Sequence, residues 1–190
     1  MSEEKAFQTL KDLGALEHQL HSIRDIIIGR INTSNQKLDL LTEELNELKS
    51  GLMPVIIKGN GLNKCIQQLV KKMNASENLF ISLHNTYLNN CLDSKIEYSI
   101  YAIIEEALLN AIKHAQAKSA KIEIEQLQNK IYVQISDSGK GFDVMQVLKS
   151  GSAKGLLSIE KRCKEIGSSA SILSEPGNTT ISFEIPINHV

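Results

Sequence analysis

Three polar side chains line one side of an otherwise apolar stretch, IIEEALLNAIKHAQA, at residues 103–117. At ~100° per helical residue, Glu106, Asn110 and Lys113 fall within about 60° of one another. Aliphatic residues cover most of the remaining circumference, which is typical of a mostly buried helix. A carboxylate, an amide and an ammonium in one stripe either face a polar ligand or simply meet solvent.

A second group of candidate ligand residues follows a predicted strand, in the sequence SDSGKGFD at 136–143. Asp137 at the strand end can accept a hydrogen bond from an amine, and Gly139 and Gly141 let the backbone approach a ligand closely. An acidic turn that closes a sheet has the same composition. Taken alone, the segment fits either description.

Two further loops contain glycine. The loop GSAKGLL at 151–157 opens a predicted helix, whose N-terminal amides can receive phosphate. The turn PGNTT at 176–180 lies in a predicted hairpin. Loops of both kinds are common, so neither is specific by itself.

The order and spacing of these four segments resemble the N, G1 and G2 boxes of the GHKL, or Bergerat-fold, ATPases. The resemblance covers residues 62–187 and is strongest to bacterial sensor histidine kinases of the NarX/DesK type. The similar phrases are EEALLNAIKHAQA, ISDSGKGFD, KGLLSIEKR and TISFEIP, and the linker ELKSGLMPVIIKGNGLNKCIQQLV is similar to the end of that subfamily's dimerisation hairpin. The resemblance implies a domain that binds ATP with Mg²⁺.

In such proteins the polar stripe faces the nucleotide while the other sides of the helix pack on the sheet. The resemblance implies that Asn110 coordinates Mg²⁺, as a neutral oxygen donor suited to a hard cation. Glu106 is implied as the catalytic residue that organises metal-bound water or polarises the attacking group. Lys113 would offset phosphate charge, and His114 would add a phosphate contact.

The resemblance assigns the remaining loops to adenine and to a lid over the phosphates. Asp137 would accept the exocyclic amine of adenine, which selects adenine over guanine. Gly139 and Gly141 would shape the adenine pocket. Thr180, with Thr179 as second choice, would be the threonine after the last turn, although the PGxGTT of the family is PGNTT here. The implied ATP-binding positions of the lid are Gly151, Lys154, Gly155 and Leu156.

The first 52 or so residues contain no proline, and their leucines and isoleucines recur three and four apart in a seam typical of coiled coils. The seam loses phase at 32–36, where Thr33 and Gln36 fit a capping box. We therefore predict a helical hairpin whose first helix ends near Arg30, with one continuous helix as the alternative. A lone hairpin cannot bury both flanks of its seam, so two copies would form a dimeric four-helix bundle.

After SGLMP at 50–54 the sequence changes to short amphipathic helices and strands. The predicted strands are 79–83, 120–127, 130–136, 170–174 and 181–185. Helices mixed with hairpins indicate an α+β fold rather than a βαβ series. The predicted architecture is a helical dimerisation hairpin at 1–53, followed by a Bergerat-type α/β sandwich ATP-binding domain at 54–190.

Composition and charge argue against several classes of protein. The net charge of −1 gives no general affinity for nucleic acid. No apolar run reaches the ~20 residues that span a bilayer, and the acidic start MSEEKAF lacks the features of a signal peptide. The three scattered cysteines include no CxxC pair, which argues against a zinc site and fits a reducing compartment. We expect a cytoplasmic protein with no membrane segment in this chain.

The subfamily normally carries an LHD signature on its first hairpin helix, and this signature is absent. The nearest phrase, TLKDLG at 9–14, has Lys11 at the acceptor position, and a lysine that is protonated near neutral pH is a poor phosphate acceptor. His21 is the preferred alternative acceptor because Asp25, four residues on, can orient its ring, and His18 is second. Both histidines also fit a solvated helical face.

The resemblance implies the core of a sensor histidine kinase. Such a protein transfers the ATP γ-phosphoryl group to a histidine of a homodimer, and then to an aspartate in a response regulator receiver domain. The alternative is a dimeric ATP-binding pseudokinase without its own acceptor histidine. A serine kinase of the anti-sigma-factor type shares the ATPase fold, but the N-terminal seam and the SGLMP junction count against it.

Overall fold

The computed structural model describes residues 2–76, 79–87, 92–149 and 154–187, which form two compact units, Met1–Lys49 and Ser50–Val190. The helices are α1 Ser2–Asn60, α2 Leu62–Ser76, α3 Ser94–Asn110 with a π-helical turn at Ala111–Ala115, α4 Val144–Lys149 and α5 Lys154–Glu165. The strands are β1 Phe80–Asn85, β2 Ser119–Leu127, β3 Lys130–Asp137, β4 Ser171–Glu175 and β5 Asn178–Pro186. The domain boundary that the sequence predicts, after residue 53, remains a prediction.

A single helix, α1, runs without a break where the sequence predicted a hairpin. Thr33 does not cap a second helix, because its Oγ1 donates to the Gly29 carbonyl oxygen one turn back, at 2.9 Å. Thr42 makes the same kind of bond to Leu38, at 2.7 Å. Inside a helix a threonine hydroxyl can donate to the carbonyl oxygen four residues back, whereas at an N-cap it accepts from a backbone N–H. The predicted hairpin is therefore wrong, and the alternative of one continuous helix is correct.

The apolar seam of α1 is exposed. Each of its leucines and isoleucines is at least 51% exposed: Leu13, Leu16, Leu20, Ile23, Ile27, Leu38, Leu41, Leu45, Leu48 and Leu52. The described residues of the chain leave this seam without an apolar cover.

The five strands form one sheet in the order β1-β2-β3-β5-β4. Strand β1 is parallel to β2, and every other neighbouring pair is antiparallel. The two predicted strands at 120–127 and 130–136 are confirmed to within one residue, as β2 and β3. Helices and a mixed sheet confirm the predicted α+β class.

One face of the sheet carries the core. Apolar side chains alternate along β2, β3 and β5, as a strand buried on one side requires, and they join apolar residues of α2, α3 and α5 in one buried cluster. The side chains buried most completely include Ile100, Ile104, Leu108, Ile122, Ile131 and Ile159. Burying each such side chain contributes about 1.5–3 kcal/mol. The cluster fixes α3 and α5 on the same face of the sheet.

A buried polar contact lies where β1 leads toward α3. The Tyr87 hydroxyl donates to Glu97 Oε1 at 2.6 Å, and the two residues are 2% and 4% exposed. Helix α3 itself begins after Asp93, whose carboxylate accepts from the Lys95 amide at 2.8 Å and so caps the helix. These contacts fix the start of the helix that carries the polar stripe.

Candidate functional site

Two members of the polar stripe, Glu106 and Asn110, lie against the first turn of α5. The backbone of Gly155 is so close that a β-carbon there would stand 3.1 Å from both polar atoms of the Asn110 amide. The same β-carbon would overlap the Glu106 carboxylate. A carboxylate, an amide and the N-terminal turn of a helix therefore converge on one point. Such a turn offers backbone N–H groups and a partial positive charge to an anion.

The Asn110 amide is the polar group in this cluster that lacks a partner. Its Nδ2 is buried, and no hydrogen bond to it is found among the described residues. Leaving a buried polar group unpaired costs about 1–3 kcal/mol. A half-turn of the amide plane presents the carbonyl oxygen at the same place, and the two orientations are distinguished only by their hydrogen bonds. A neutral amide oxygen beside a carboxylate fits Mg²⁺, which prefers oxygen ligands.

The third member of the stripe, Lys113, lies in a π-helical turn and not in the α-helix that carries the other two. After Asn110 the chain makes the π-helical turn Ala111–Ala115 and leaves it through Gln116, in the left-handed region at φ 54°. Lys113 and His114 are exposed on this turn, whereas Glu106 and Asn110 are half-buried. The wider turn breaks the ~100° spacing that placed Lys113 in line. Lys113 is therefore available at the surface rather than within the half-buried cluster.

The second half of the site is built around Asp137 at the end of β3. The Gly139 amide donates to Asp137 Oδ1 at 2.8 Å, and the Lys140 amide donates to the Ala115 carbonyl oxygen at 3.0 Å. A β-carbon on Gly139 would overlap Ala115. The π-helical turn after Asn110 and the loop after Asp137 are thus in direct contact, and Ala115 joins the two halves of the site. Sequence reasoning did not identify Ala115, since nothing in its type sets it apart from its neighbours.

Burial and one backbone hydrogen bond act in opposite directions on the pKa of the Asp137 carboxyl group. Burial raises its pKa above the ordinary 3.8, and the hydrogen bond from the Gly139 amide partly opposes that rise. A half-buried carboxylate with an oxygen left to accept is suited to an amine donor in a ligand.

The loop after Asp137 is held against the turn between β4 and β5. Gly141 adopts φ 69°, and a β-carbon there would stand 2.8 Å from the Pro176 nitrogen. The Gly177 amide donates to the Gly139 carbonyl oxygen at 2.8 Å. Glycine is required at 141 both by the left-handed backbone and by the close approach. The DSGKG and PGN segments, which the sequence singled out separately, form one packed unit.

The two candidate threonines face opposite sides of the sheet. Thr179 is the register partner of Asp137 across β3 and β5 and is 5% exposed. Thr180 pairs with Ser136 and is only half-buried. Directly opposed residues share a face with β-carbons about 4.5–5.5 Å apart. The structure therefore brings Thr179, and not Thr180, beside Asp137.

The lid residues are described only in part. Lys154 is exposed at the start of α5, Gly155 lies on the polar stripe, and Leu156 is buried in the core cluster. Gly151 lies outside the described residues.

The two candidate acceptor histidines lie on α1 and are exposed. His21 Nδ1 is 3.0 Å from the Glu17 carbonyl oxygen. Because a carbonyl oxygen only accepts, Nδ1 is the protonated nitrogen in that contact, and Nε2 keeps its lone pair. The bond to Glu17 therefore fits the His21 tautomer in which Nε2 carries the lone pair. No corresponding contact is found for His18 among the described residues.

Other binding chemistries find little support. No group of three or more histidine, cysteine or carboxylate side chains is placed to hold a metal ion in the part of the chain that the structure describes. Burial raises the pKa of the Cys163 thiol to about 11 and also raises that of Cys65, so both are poor thiolate ligands. Within the described ranges, no helix combines the length and apolar character needed to cross a bilayer.

Comparison with known families identifies most of the second unit. Residues 96–189 match the family described as histidine kinase-, DNA gyrase B-, and HSP90-like ATPase. This range holds Glu106, Asn110, Asp137, Gly155 and Thr179.

Two curated relatives and one solved structure extend the match toward the N-terminus. An uncharacterized sensor-like histidine kinase of Chloroflexus aurantiacus is 34% identical over 76% of this chain and 25% of its own length. The oxygen sensor histidine kinase NreB of Staphylococcus carnosus is 26% identical over 86% of this chain and 47% of its own length. The chain thus spans a quarter to about half of the length of these relatives.

The histidine kinase AdeS of Acinetobacter baumannii has a similar fold. Its structure superposes with a TM-score of 0.59 over 80% of this chain and 81% of its own, at 15% identity. That identity supports the fold alone. Together with the family match, it confirms the Bergerat-type α/β sandwich.

Proposed function

Residues 96–189 form an ATP-binding domain of the histidine kinase-, DNA gyrase B-, and HSP90-like ATPase family, and from this membership we propose that the chain is the catalytic core of a sensor histidine kinase. Its reaction is transfer of the ATP γ-phosphoryl group to a histidine, and from there to an aspartate of a response regulator receiver domain. The proposal rests on one observation above all. Glu106 and the unpaired Asn110 amide converge on Gly155, at the first turn of α5.

We assign the nucleotide between the two halves of the site. The adenine lies at Asp137 and Thr179, with Gly139 and Gly141 forming the wall. The phosphates lie toward Asn110 and the α5 N-terminus, with Lys113, His114 and Lys154 as cationic or polar contacts from the rim. Thr179 replaces Thr180 in this assignment, because it shares a face with Asp137.

We assign Mg²⁺ to the Asn110 amide oxygen, where the metal would neutralise phosphate charge when bound. Glu106 would polarise the group that attacks the γ-phosphorus. Asn110 and the α5 amides hold the phosphates in line for that attack. Catalysis is then largely positioning and charge neutralisation, as in phosphoryl transfer generally.

The acceptor we propose is His21, with attack by its Nε2. The Nδ1 contact to Glu17 supports this choice over His18, because it leaves the Nε2 lone pair free. In the transfer an N–P bond forms at Nε2, the bond from the γ-phosphorus to the bridging oxygen breaks, and ADP leaves.

We also propose that two copies associate through the seam of α1. Its exposed leucines and isoleucines form a continuous stripe at coiled-coil spacing. Because α1 is one helix, each copy would contribute a long helix rather than a hairpin. A cytoplasmic location agrees with this scheme.

Labelling with γ-labelled ATP and Mg²⁺ tests the proposal. We expect acid-labile, base-stable label on the protein, lost in His21→Ala and retained in His18→Ala. Label that survives in the double variant would exclude both histidines as acceptors, and label on a serine would identify another class of kinase. ATP binding with no label at all would contradict kinase activity and leave an ATP-binding regulator.

A further inference from the structure

Three side chains lie in one row across three neighbouring strands. Asp137 on β3 pairs with Thr179 on β5, and Thr179 pairs in turn with Ser174 on β4. Paired residues share a face of the sheet, so all three point to the side that carries the core. Asp137 and Thr179 belong to the adenine site proposed above. Ser174 has no role in that assignment.

Ser174 links the glycine loop to the threonine. The Phe142 amide donates to Ser174 Oγ at 3.0 Å, and Ser174 Oγ lies 2.8 Å from Thr179 Oγ1. Phe142 directly follows Gly141, in the loop that follows Asp137. Ser174 therefore contacts both the loop and the strand that border the proposed purine.

Either hydroxyl can be the donor in this bond, and counting donors and acceptors favours Ser174. A hydroxyl has one proton and two lone pairs. If Thr179 donated to Ser174, the Ser174 oxygen would accept from both the Phe142 amide and the Thr179 hydroxyl. The Ser174 proton would then have no acceptor within this group of three residues. If Ser174 donates to Thr179, the Ser174 hydroxyl accepts once, from the Phe142 amide, and donates once, to Thr179 Oγ1. Such a chain is strengthened by mutual polarisation.

When Ser174 donates, the Thr179 proton remains for an acceptor on the face of the sheet that Thr179 shares with Asp137. The edge of the site then presents a donor at Thr179 beside an acceptor at Asp137. Adenine offers the complementary pair, with an acceptor at N1 and a donor at its exocyclic amine. A 6-oxopurine offers the reverse, with a donor at N1 and an acceptor at O6.

We propose that Ser174 is a positioning residue that fixes the Thr179 hydroxyl as a hydrogen-bond donor to N1 of adenine, and so contributes to selection of ATP over 6-oxopurine nucleotides. This inference rests on the proposed adenine site at Asp137. Ser174 touches neither base nor phosphate in it and acts through Thr179.

Binding of two nucleotides separates this role from a purely structural one. The probes are ATP and 1-deaza-ATP, in which a C–H group replaces N1. We expect Ser174→Ala to weaken ATP binding roughly 2- to 12-fold, the worth of one neutral hydrogen bond. Binding of 1-deaza-ATP should be unchanged by the substitution, because this ligand has no N1 acceptor. Discrimination between ATP and inosine triphosphate should fall by the same factor as ATP binding.

Three controls complete the experiment. Ser174→Thr keeps the hydroxyl and should keep wild-type binding. Ser171 lies on the same strand but is exposed on the other face of the sheet, so Ser171→Ala should leave the affinity for both nucleotides unchanged. The wild-type chain should bind ATP more tightly than 1-deaza-ATP, and this comparison needs no variant to fold.

Each outcome bears on one proposal only. Equal weakening of ATP and 1-deaza-ATP by Ser174→Ala would make the serine structural and overturn the inference. Equal binding of ATP and 1-deaza-ATP by the wild-type chain would also overturn it, while the adenine site would stand if Asp137→Asn still weakened ATP binding. Failure of Asp137→Asn to weaken ATP binding would instead overturn the proposed site.

Discussion

Gly155 of α5 rests on Glu106 of α3 so closely that no side chain fits between them. The contact ties the first turn of α5 to the carboxylate of the polar stripe. It also brings the α5 amides to the Asn110 amide, where a phosphate and its cation would meet. Space at this point is therefore a requirement of the site.

Replacing Gly155 with alanine should displace the first turn of α5 from α3. Overpacking of this kind typically costs about 1–3 kcal/mol, and we expect ATP affinity to fall roughly tenfold or more, measured by calorimetry. Gly59→Ala is the matched control, because a β-carbon there meets nothing within 4 Å. Wild-type ATP affinity in Gly155→Ala would show that α5 does not border the phosphates.

Replacing Asn110 with alanine should weaken ATP binding without lowering the stability of the fold. The variant loses a buried amide nitrogen that has no partner among the described residues, so its free energy of unfolding should be no lower than that of the wild type. ATP binding should weaken and lose its dependence on Mg²⁺, which titrations with Mg²⁺ and with a chelator would measure. Gln134→Ala, on the exposed face of the sheet, should leave both properties unchanged. A retained Mg²⁺ effect in Asn110→Ala would remove Asn110 as the metal ligand.

The sequence predicted the local structure well where apolar residues alternate or glycines follow a strand. The alternation of apolar residues located β2 and β3, and Asp137, Gly139 and Gly141 lie together as expected. Thr179 and Thr180 differ only in which face of β5 they occupy, and a shift of one residue in register reverses that choice. Ser174 was missed, although its alternation with the inward-facing Ile172 could have indicated it.

Other features had no reliable local signal. Thr33 is equally compatible with an N-cap and with a bond to the carbonyl oxygen four residues back, so composition alone did not separate a hairpin from one long helix. The π-helical turn Ala111–Ala115 arises in a stretch whose residues fit an ordinary helix. The last residue of this turn, Ala115, packs against Gly139, which is a contact distant in sequence.

Replacing Asp137 with asparagine should stabilise the free protein and weaken nucleotide binding. Burial raises the pKa of Asp137 above 3.8, so this carboxyl group contributes stability below pH 3.8 that is lost as pH rises through the raised pKa. At neutral pH asparagine removes the cost of a half-buried charge. The stability difference between variant and wild type should therefore grow in favour of Asp137→Asn as pH rises, which urea unfolding at several pH values would measure.

The same variant should bind ATP more weakly. The substitution replaces a carboxylate acceptor with an amide oxygen. A hydrogen bond to a charged group contributes about 1.5–3 kcal/mol, so its loss corresponds to a roughly 10- to 150-fold loss of affinity. Asp143→Asn is the control, because Asp143 is exposed and accepts from the Gln146 amide at the start of α4. If both variants lost affinity equally, the effect would be one of general charge and not of the adenine site.

Replacing Tyr87 with phenylalanine should destabilise the fold and spare the nucleotide site. The change removes a 2.6 Å hydrogen bond to the buried Glu97 side chain, and loss of a partner by a buried polar group costs about 1–3 kcal/mol. Denaturant unfolding measures this loss, and ATP affinity should stay at the wild-type value under native conditions. Tyr132→Phe, where the ring is 47% exposed, should change stability by no more than about 0.5 kcal/mol. A Tyr87→Phe protein as stable as the wild type would mean that Glu97 is satisfied without the tyrosine.

The central claim is that one molecule of ATP, with Mg²⁺, is held between Asn110 of α3 and Asp137 of β3. Calorimetric titration of ATP and Mg²⁺ into the full chain and into Asn110→Ala and Asp137→Asn tests it most directly. We predict one site per chain in the wild type and weaker binding in each variant, with Mg²⁺ dependence lost only in Asn110→Ala. No binding by the wild type, or wild-type affinity in both variants, would contradict the claim.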